Sequence, residues 1–336
     1  MIKDKTIGIP RAISYYNYFP FWWGFFNNIG IEIILSDPTT KKTIADGASL
    51  VVTETCLPIK VYTGHVINLI NKGVKNIFVP SIQSIAPKIY NCSKIRGLPD
   101  LIKNVVKGDF NIIEATLDKS EKNNNLIDFL TEIATQYGIK DINKIKEAQN
   151  AGFVVQNNFN VMVQNGLDFD EALNNAKKGQ VIIAPKKEDK PISIALIGHG
   201  YNIYDKRACM DIFKKLENLN VRVYNAYQLT IEQLKGGMES LNSTLYWANQ
   251  HEMTGCAGHY LQDEKIDGVI TLTAFGCGPD ILMVEDIKRK AKNFNKPLLN
   301  LTIDEHTGEA GFITRIEAFC DMLYRKKTKA KTLVNS

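Results

Sequence analysis

The sequence predicts an α/β protein: two doubly wound parallel-sheet domains facing a cleft, with a helical insertion between them. Three observations predict it. Short apolar runs alternate with helix-like stretches through the first 120 residues, the pattern of strand–helix–strand crossovers. From about Asn123 to Lys178, Gly and Pro become rare and apolar residues recur at helical spacing. From residue 191 the alternation resumes. The expected organisation is an N-terminal α/β domain at 1–120, a helical subdomain and linker at 121–190, and a C-terminal α/β domain with long helices at 191–336.

In chain order, Lys5–Ile9 reads as a strand and the aromatic stretch Tyr15–Asn28 as a helix. Gly30–Leu35 is a second strand, Ser49–Thr53 a third, Lys60–Asn71 a helix and Asn76–Val79 a fourth strand. Phe110–Ala115 adds a fifth. The helical middle is carried by Leu126, Phe129 and Ile133, then Ile142 and Ile145, then Phe159, Met162, Leu167 and Leu173. Gln180–Lys190, with Pro185 and a charged run, reads as a linker. Strands follow at Ile192–Ile197, Val221–Tyr224, Asp267–Leu272 and Pro297–Ile303. Helices are expected at Lys206–Asn218, Ser243–Gln262 and Ala310–Arg325. Two α/β units of similar length imply a duplicated architecture, although no sequence repeat accompanies it.

The 336 residues are 44% hydrophobic and 23% charged, with a formal charge of +5, which describes an ordinary globular chain. That balance gives no reason to expect nucleic acid. No stretch resembles a signal peptide or a membrane span, because Asn17, Pro20 and Gly24 interrupt the aromatic region. The expectation is a cytoplasmic protein whose six cysteines stay reduced. The basic residues from Tyr324 to Lys331 read as a solvated, frayed terminus.

Three cysteines stand apart. Cys56, Cys92 and Cys277 lie at or beyond the carboxyl ends of the runs Ser49–Val52, Asn76–Pro80 and Gly268–Leu272, in loops of Gly, Pro and polar residues. Open α/β sheets place ligand sites at such ends. Glycines flank Cys277 and Pro58 follows Cys56, so the backbone can approach an inorganic ligand there and its direction is fixed. Three soft thiolates in that setting point to an iron–sulfur cluster. Cys209, Cys256 and Cys320 sit in helix candidates, where a cysteine also serves as a small buried hydrophobe.

No C-x-x-C occurs, which excludes ferredoxin and zinc-ribbon patterns. Cys256 and His259 could share a zinc from one helix face. No P-loop is present, and Gly198-His199-Gly200 and Gly276-Cys277-Gly278 both lack the third glycine of a dinucleotide fingerprint. The run Asp304–Glu309 offers acid/base or metal chemistry, or simply helix capping. Glu54, Lys60 and His65 are candidates for groups supporting Cys56.

The segments TETCLPIKVYTGHV, FVPSIQ with NCSKIRGLPDLI, FGCGPDILMVEDI and DEHTGEAGFITRIEAFCDML occur in one order. With KTIGIPRAISYYNYFPFWWGFFNNIGIEIILS, they resemble the iron–sulfur proteins related to 2-hydroxyacyl-CoA dehydratases and benzoyl-CoA reductases, in the branch that includes double-cubane cluster proteins. The resemblance covers most of both α/β units and is weak over the helical middle. It implies a cluster held by Cys56, Cys92 and Cys277. In the double-cubane branch it implies an [8Fe–9S] cluster needing six thiolates, which Cys209, Cys256 and Cys320 would complete as metal-binding residues. One [4Fe–4S] cluster is the alternative.

The activity so implied is that of an iron–sulfur reductase component. It would receive low-potential electrons from a separate [4Fe–4S] ATPase activase and reduce small molecules, as a homodimer without nucleic acid or membrane partners. No catalytic residue is assigned. The competing expectations are a single-cubane 2-hydroxyacyl-CoA dehydratase-like component, a non-catalytic electron-transfer accessory of an activase, and a protein whose cysteines are structural.

Overall fold

The computed structural model describes residues 2–120, 125–184, 190–242 and 247–334. It divides into two compact units, Met1–Ala184 with Tyr246–Ala248, and Pro185–Leu245 with Asn249–Ser336.

The first unit opens with β1 (Thr6–Ile9), α1 (Tyr15–Asn28), β2 (Glu32–Leu35), α2 (Lys41–Ala48), α3 (Leu57–Asn71) and β3 (Asn76–Phe78). Next come β4 (Ser81–Ala86), β5 (Ile89–Tyr90), α4 (Ser93–Arg96), α5 (Leu98–Val105), β6 (Asn111–Ile113) and β7 (Thr116–Asp118). The helices α6 (Leu126–Gln136), α7 (Ile142–Gln164) and α8 (Phe169–Lys177) complete it. Its main sheet runs β2-β1-β3-β6, all parallel.

The expected strand at Ser49–Thr53 does not form. Val52 is 72% exposed and Leu50 40%, so this run has no sheet to enter. It is the irregular link between α2 and α3, and the α2 helix before it was not expected. The pair β3/β6 bends at Val79-Pro80 and continues as the parallel pair β4/β7, bridged by Val79 N–H to Ile113 O (3.0 Å) and Ser81 N–H to Ala115 O (2.9 Å). The hairpin β4–β5 then turns at Lys88, whose φ is +63°.

The helical segment joins this unit by packing on α1. A Cβ on Gly24 would lie 2.5 Å from Ala151 O, and one on Gly152 would lie 2.8 Å from the Phe21 ring, so small residues let α1 and α7 touch backbone to backbone. Around that contact α1 buries Phe19, Phe25 and Phe26 completely. Each such side chain contributes about 1.5–3 kcal/mol by leaving water.

The second unit contains β8 (Ile192–Ile197), α9 (Gly200–Ile203), α10 (Ile212–Asn218), β9 (Val221–Tyr224), α11 (Ile231–Leu241) and α12 (Ala248–Gln262). It continues with β10 (Gly268–Ala274), α13 (Gly278–Asn293), β11 (Leu298–Ile303) and α14 (Glu309–Val334). Its sheet runs β11-β10-β8-β9, again all parallel. Counted within each unit, both main sheets have the strand order 2-1-3-4, with one reversal between first and third strands. This is the duplicated architecture the sequence implied.

The expected helix at Lys206–Asn218 is shorter. Met210 and Asp211 both take positive φ (52° and 53°), so α10 begins only at Ile212 and Cys209 lies in the turn before it. The basic tail is not frayed: α14 continues to Val334, and Lys327 pairs with Asp267 at 2.8 Å. Part of the expected linker, Pro185–Asp189, and residues 243–246 of the expected long helix lie outside the described residues. No helix among the described residues is long and apolar enough to cross a membrane.

Candidate functional site

Cys56, Cys92 and Cys277 occupy one kind of position: each is the residue capping a helix amino terminus. Cys56 precedes α3 with φ −64° and ψ 149°, Cys92 precedes α4 with −63° and 153°, and Cys277 precedes α13 with −87° and 99°. Proline in the first turn of α3 (Pro58) and of α13 (Pro279) fixes the helix start where no N–H is needed. A helix amino terminus carries partial positive charge, which favours a thiolate over a thiol. Because α3 returns to the start of β3, its amino terminus lies at the carboxyl edge of the first main sheet. The turn at Gly276 (φ +74°) likewise sets Cys277 at the carboxyl end of β10. Cys56 thus reaches a sheet edge by way of a helix rather than a strand.

Within the first unit the loops of Cys56 and Cys92 are tied together. Lys94, two residues after Cys92, donates from Nζ to the carbonyl of Glu54, two residues before Cys56, at 3.4 Å. Lys60, 3% exposed, donates to Thr53 O at 2.8 Å and closes the Cys56 loop from inside. Asn91, beside Cys92, is buried and holds the β4–β5 hairpin through Ile82 O (2.8 Å) and Gln83 O (2.9 Å). Of the groups expected to support Cys56, Lys60 and the Glu54 backbone do so. His65 does not: it is fully buried and its Nε2 shares a hydrogen bond with Thr39 Oγ1 at 2.9 Å. Burial pushes the His65 imidazole down to about 3, with Arg11 adding to the effect.

The remaining cysteines differ. Cys209 is buried in its turn, and its thiol donates to Ile203 O at 3.3 Å. Burial pushes it up to about 12, while the N–H groups of Ile212 and Asp211 aimed at the sulfur oppose the rise. Cys256 is fully buried in an apolar cluster with Ala195, Ile197, Met253, Val269 and Met283. Burial drives its thiol well above the ordinary range. Cys320 is 1% exposed on α14 and is raised to about 11 by burial.

The second sheet lies between Cys256 and Cys320. Val269 of β10 points into the Cys256 cluster, whereas a Cβ on its neighbour Gly268 would meet Leu323 and Phe319 of α14. Successive strand residues face opposite sides. Among the described residues, no group of three or more His, Cys, Asp or Glu side chains is gathered as a metal site, and this holds for Cys56, Cys92 and Cys277 as it does for Cys209, Cys256 and Cys320.

In the acidic run 304–309, Asp304 closes a turn before α14 and Glu309 alone lies in the first turn of that helix. Asp304 accepts from Thr307 Oγ1 (2.7 Å) and from the His306 N–H (3.0 Å), which holds its carboxyl below the usual range, and Glu309 pairs with Lys215 at 2.7 Å.

Compared with protein-family models, residues 6–229 match the CoA enzyme activase uncharacterised domain, which is two thirds of the chain. The chain belongs to that family. No curated protein matches it. In this family member the match spans Cys56, Cys92 and Cys209 and ends before Cys256, Cys277 and Cys320.

Thiolates are the donors that thiophilic metals take. Cys56 and Cys92 bring sulfur to helix termini whose loops are locked together, and Cys277 brings sulfur to a third. Sequence reasoning missed one pair in this family member, His199 with Asp280, whose Nε2 and Oδ1 are 2.7 Å apart although 81 residues separate them. Both residues follow strand ends, His199 directly after Ile197-Gly198 and Asp280 in the first turn of α13, the helix after β10. That is the signal a search of strand termini would have used.

Proposed function

We propose that this chain is the electron-accepting iron–sulfur component of an activase-dependent reductase, with Cys56, Cys92 and Cys277 as its cluster ligands. The observation that carries the reading is their shared position at helix amino termini, with two of the loops clamped by Lys60 and Lys94. Membership of an activase-related family supports the partner: a separate ATPase with its own [4Fe–4S] cluster that delivers low-potential electrons. The chain acts as a homodimer on a small-molecule substrate. A cluster bound there supplies one-electron chemistry. The chain's own residues supply thiolates, loop rigidity and a partly apolar surround.

The opposite-face burial of Cys256 and Cys320 favours one [4Fe–4S] cluster per chain over an [8Fe–9S] double cubane, which needs all six cysteines. Anaerobic reconstitution with iron and sulfide quantification tests both. About four irons per chain is expected, lost in Cys56→Ala and Cys277→Ala and retained in Cys256→Ala and Cys320→Ala. About eight irons, with loss in every one of these variants, replaces the single cluster by the double cubane. A colourless, iron-free protein overturns the reading.

A further inference from the structure

The outward face of α7 departs from what a solvated helix carries. One side of this helix buries Ile145, Ala148, Gly152, Phe159, Met162 and Val163. On the other side Phe153, Val154 and Val161 are 42%, 58% and 43% exposed, with Asn150 and Asn157 exposed beside them. Neighbours in this set are separated by three or four residues along the chain, or are adjacent, so the five form one stripe along the helix. Within α7 only Lys144, Lys146 and Glu147, in the first two turns, are charged. Residues 148–167 carry no charge, and Asp168, Asp170 and Glu171 follow directly.

A surface helix normally turns charged and polar side chains to solvent. Here apolar residues and amides stand in their place, and the charge pattern along the helix says what they fit. A primary amide both donates and accepts, so it pairs with an identical amide. An uncharged stripe also lies against its own copy without like-charge repulsion. The ends of the stripe differ: two lysines and one glutamate at the start, three carboxylates after the end. Laid antiparallel on a second copy, neutral middle meets neutral middle and each basic start meets an acidic end. Parallel pairing would set like ends together. A partner rich in either charge would bury that charge against apolar groups and amides, at a desolvation cost that nothing in the stripe offsets.

We propose that this face of α7 is the surface on which a second copy of the chain docks, antiparallel, about a two-fold axis close to Val154 and Asn157. The proposal rests on the homodimer of the reading above and names its surface; it needs no cluster. The axis near the middle of the stripe brings Val154 and Asn157 close to their own counterparts, as an isologous contact requires. Lys146 of each copy then lies toward Asp168 and Glu171 of the other. One helix face is smaller than a standard interface of about 800 Å² per partner, so a dimer that dissociates in the micromolar range is expected.

The test is sedimentation equilibrium of the full chain over a range of concentrations up to about 100 μM, above the dissociation constant expected of such a face. The wild type is expected to dimerise. Val154→Lys sets two lysines against each other across the axis and is expected to stay monomeric with unchanged far-UV circular dichroism, because the position is exposed. An equimolar mixture of Val154→Lys with Val154→Glu is expected to dimerise again, since each lysine then meets a glutamate. Lys146→Glu is expected to weaken the dimer several-fold. Ile231→Lys, at a 66% exposed position of the second unit, is expected to leave it unchanged. A Val154→Lys chain that still dimerises overturns the proposal, as does a lysine–glutamate mixture that stays monomeric, or an equal loss in Ile231→Lys. A Lys146→Glu chain that dimerises as well as the wild type or better overturns the antiparallel sense. If Val154→Lys does not fold, Asn157→Lys decides the same point. A monomeric wild type overturns the proposal and the homodimer with it and leaves the iron–sulfur assignment standing, which iron quantification tests separately.

Discussion

Single residues set the chemistry of this chain through their neighbours. The six cysteines are alike in sequence and unlike in surroundings: three cap helices, one lies in a turn with amides on its sulfur, and two are packed under opposite faces of a sheet. His65 shows the same dependence. It is buried as the neutral imidazole, with its folded pKa lowered from 6.5 to about 3. Between these values the unfolded chain binds the proton and the folded chain does not, so stability is complete above about pH 6.5 and falls as pH drops toward 3. Denaturant titrations at pH 7 and about pH 5 are expected to differ by about 2 kcal/mol from this group, and His65→Gln is expected to remove that part. Lys60→Met, which deletes the bond to Thr53 O, is expected to cost about 1.5–3 kcal/mol in the same assay. In the reconstituted protein it should also speed iron loss to a chelator, because the Cys56 loop is no longer closed from inside.

At the scale of elements, close helix contacts decide where the site loops end up. A Cβ on Gly47 would lie 1.8 Å from Lys60 O, and one on Gly64 would lie 1.9 Å from Thr43 O, so α2 and α3 meet backbone to backbone. Gly47→Ala forces backbone to move, not a flexible side chain. It is expected to destabilise by about 1–3 kcal/mol, read as a lower urea midpoint. Since α3 carries Cys56 at its start, the same substitution is expected to lower iron retention. Gly237, Gly255 and Gly258 give α11 and α12 an equally close contact, which keeps Cys256 inside its apolar cluster.

At the scale of the whole molecule, each unit has its own sheet and its own buried core. Residues 1–184 expressed alone are therefore expected to unfold cooperatively in urea with the helical content of the first unit, because α6–α8 cover α1 within that fragment. A broad, non-cooperative transition would show that the first unit depends on the second.

Much of this was legible in the sequence, for physical reasons that can be named. Buried parallel strands and helices with an apolar face carry their period in the chain, so α1 and β8 were read to the residue and β1, β2, β3, β10 and β11 to within two. The α/β class followed. The Ser49–Thr53 run misled because β-branched residues were read as buried, when burial depends on a neighbouring strand that the chain does not supply there. The strands β4, β5 and β7 were not read because Ser81, Gln83 and Ser84 interrupt β4, Thr116 and Asp118 end β7 in polar residues, and β5 has only two residues, so none presents a continuous apolar run.

The cysteines were found by residue type, and their loops by Gly and Pro. The sequence by itself determined which atoms are soft donors and that they stand near sheet ends. Only the tertiary structure decided that Cys56, Cys92 and Cys277 all cap helices, that Cys256 and Cys320 are kept apart by a sheet, and that His199 meets Asp280 across 81 residues. Periodicity and residue chemistry are local and written in order along the chain, whereas which face a side chain is buried under, and what it meets there, is fixed only when distant segments pack.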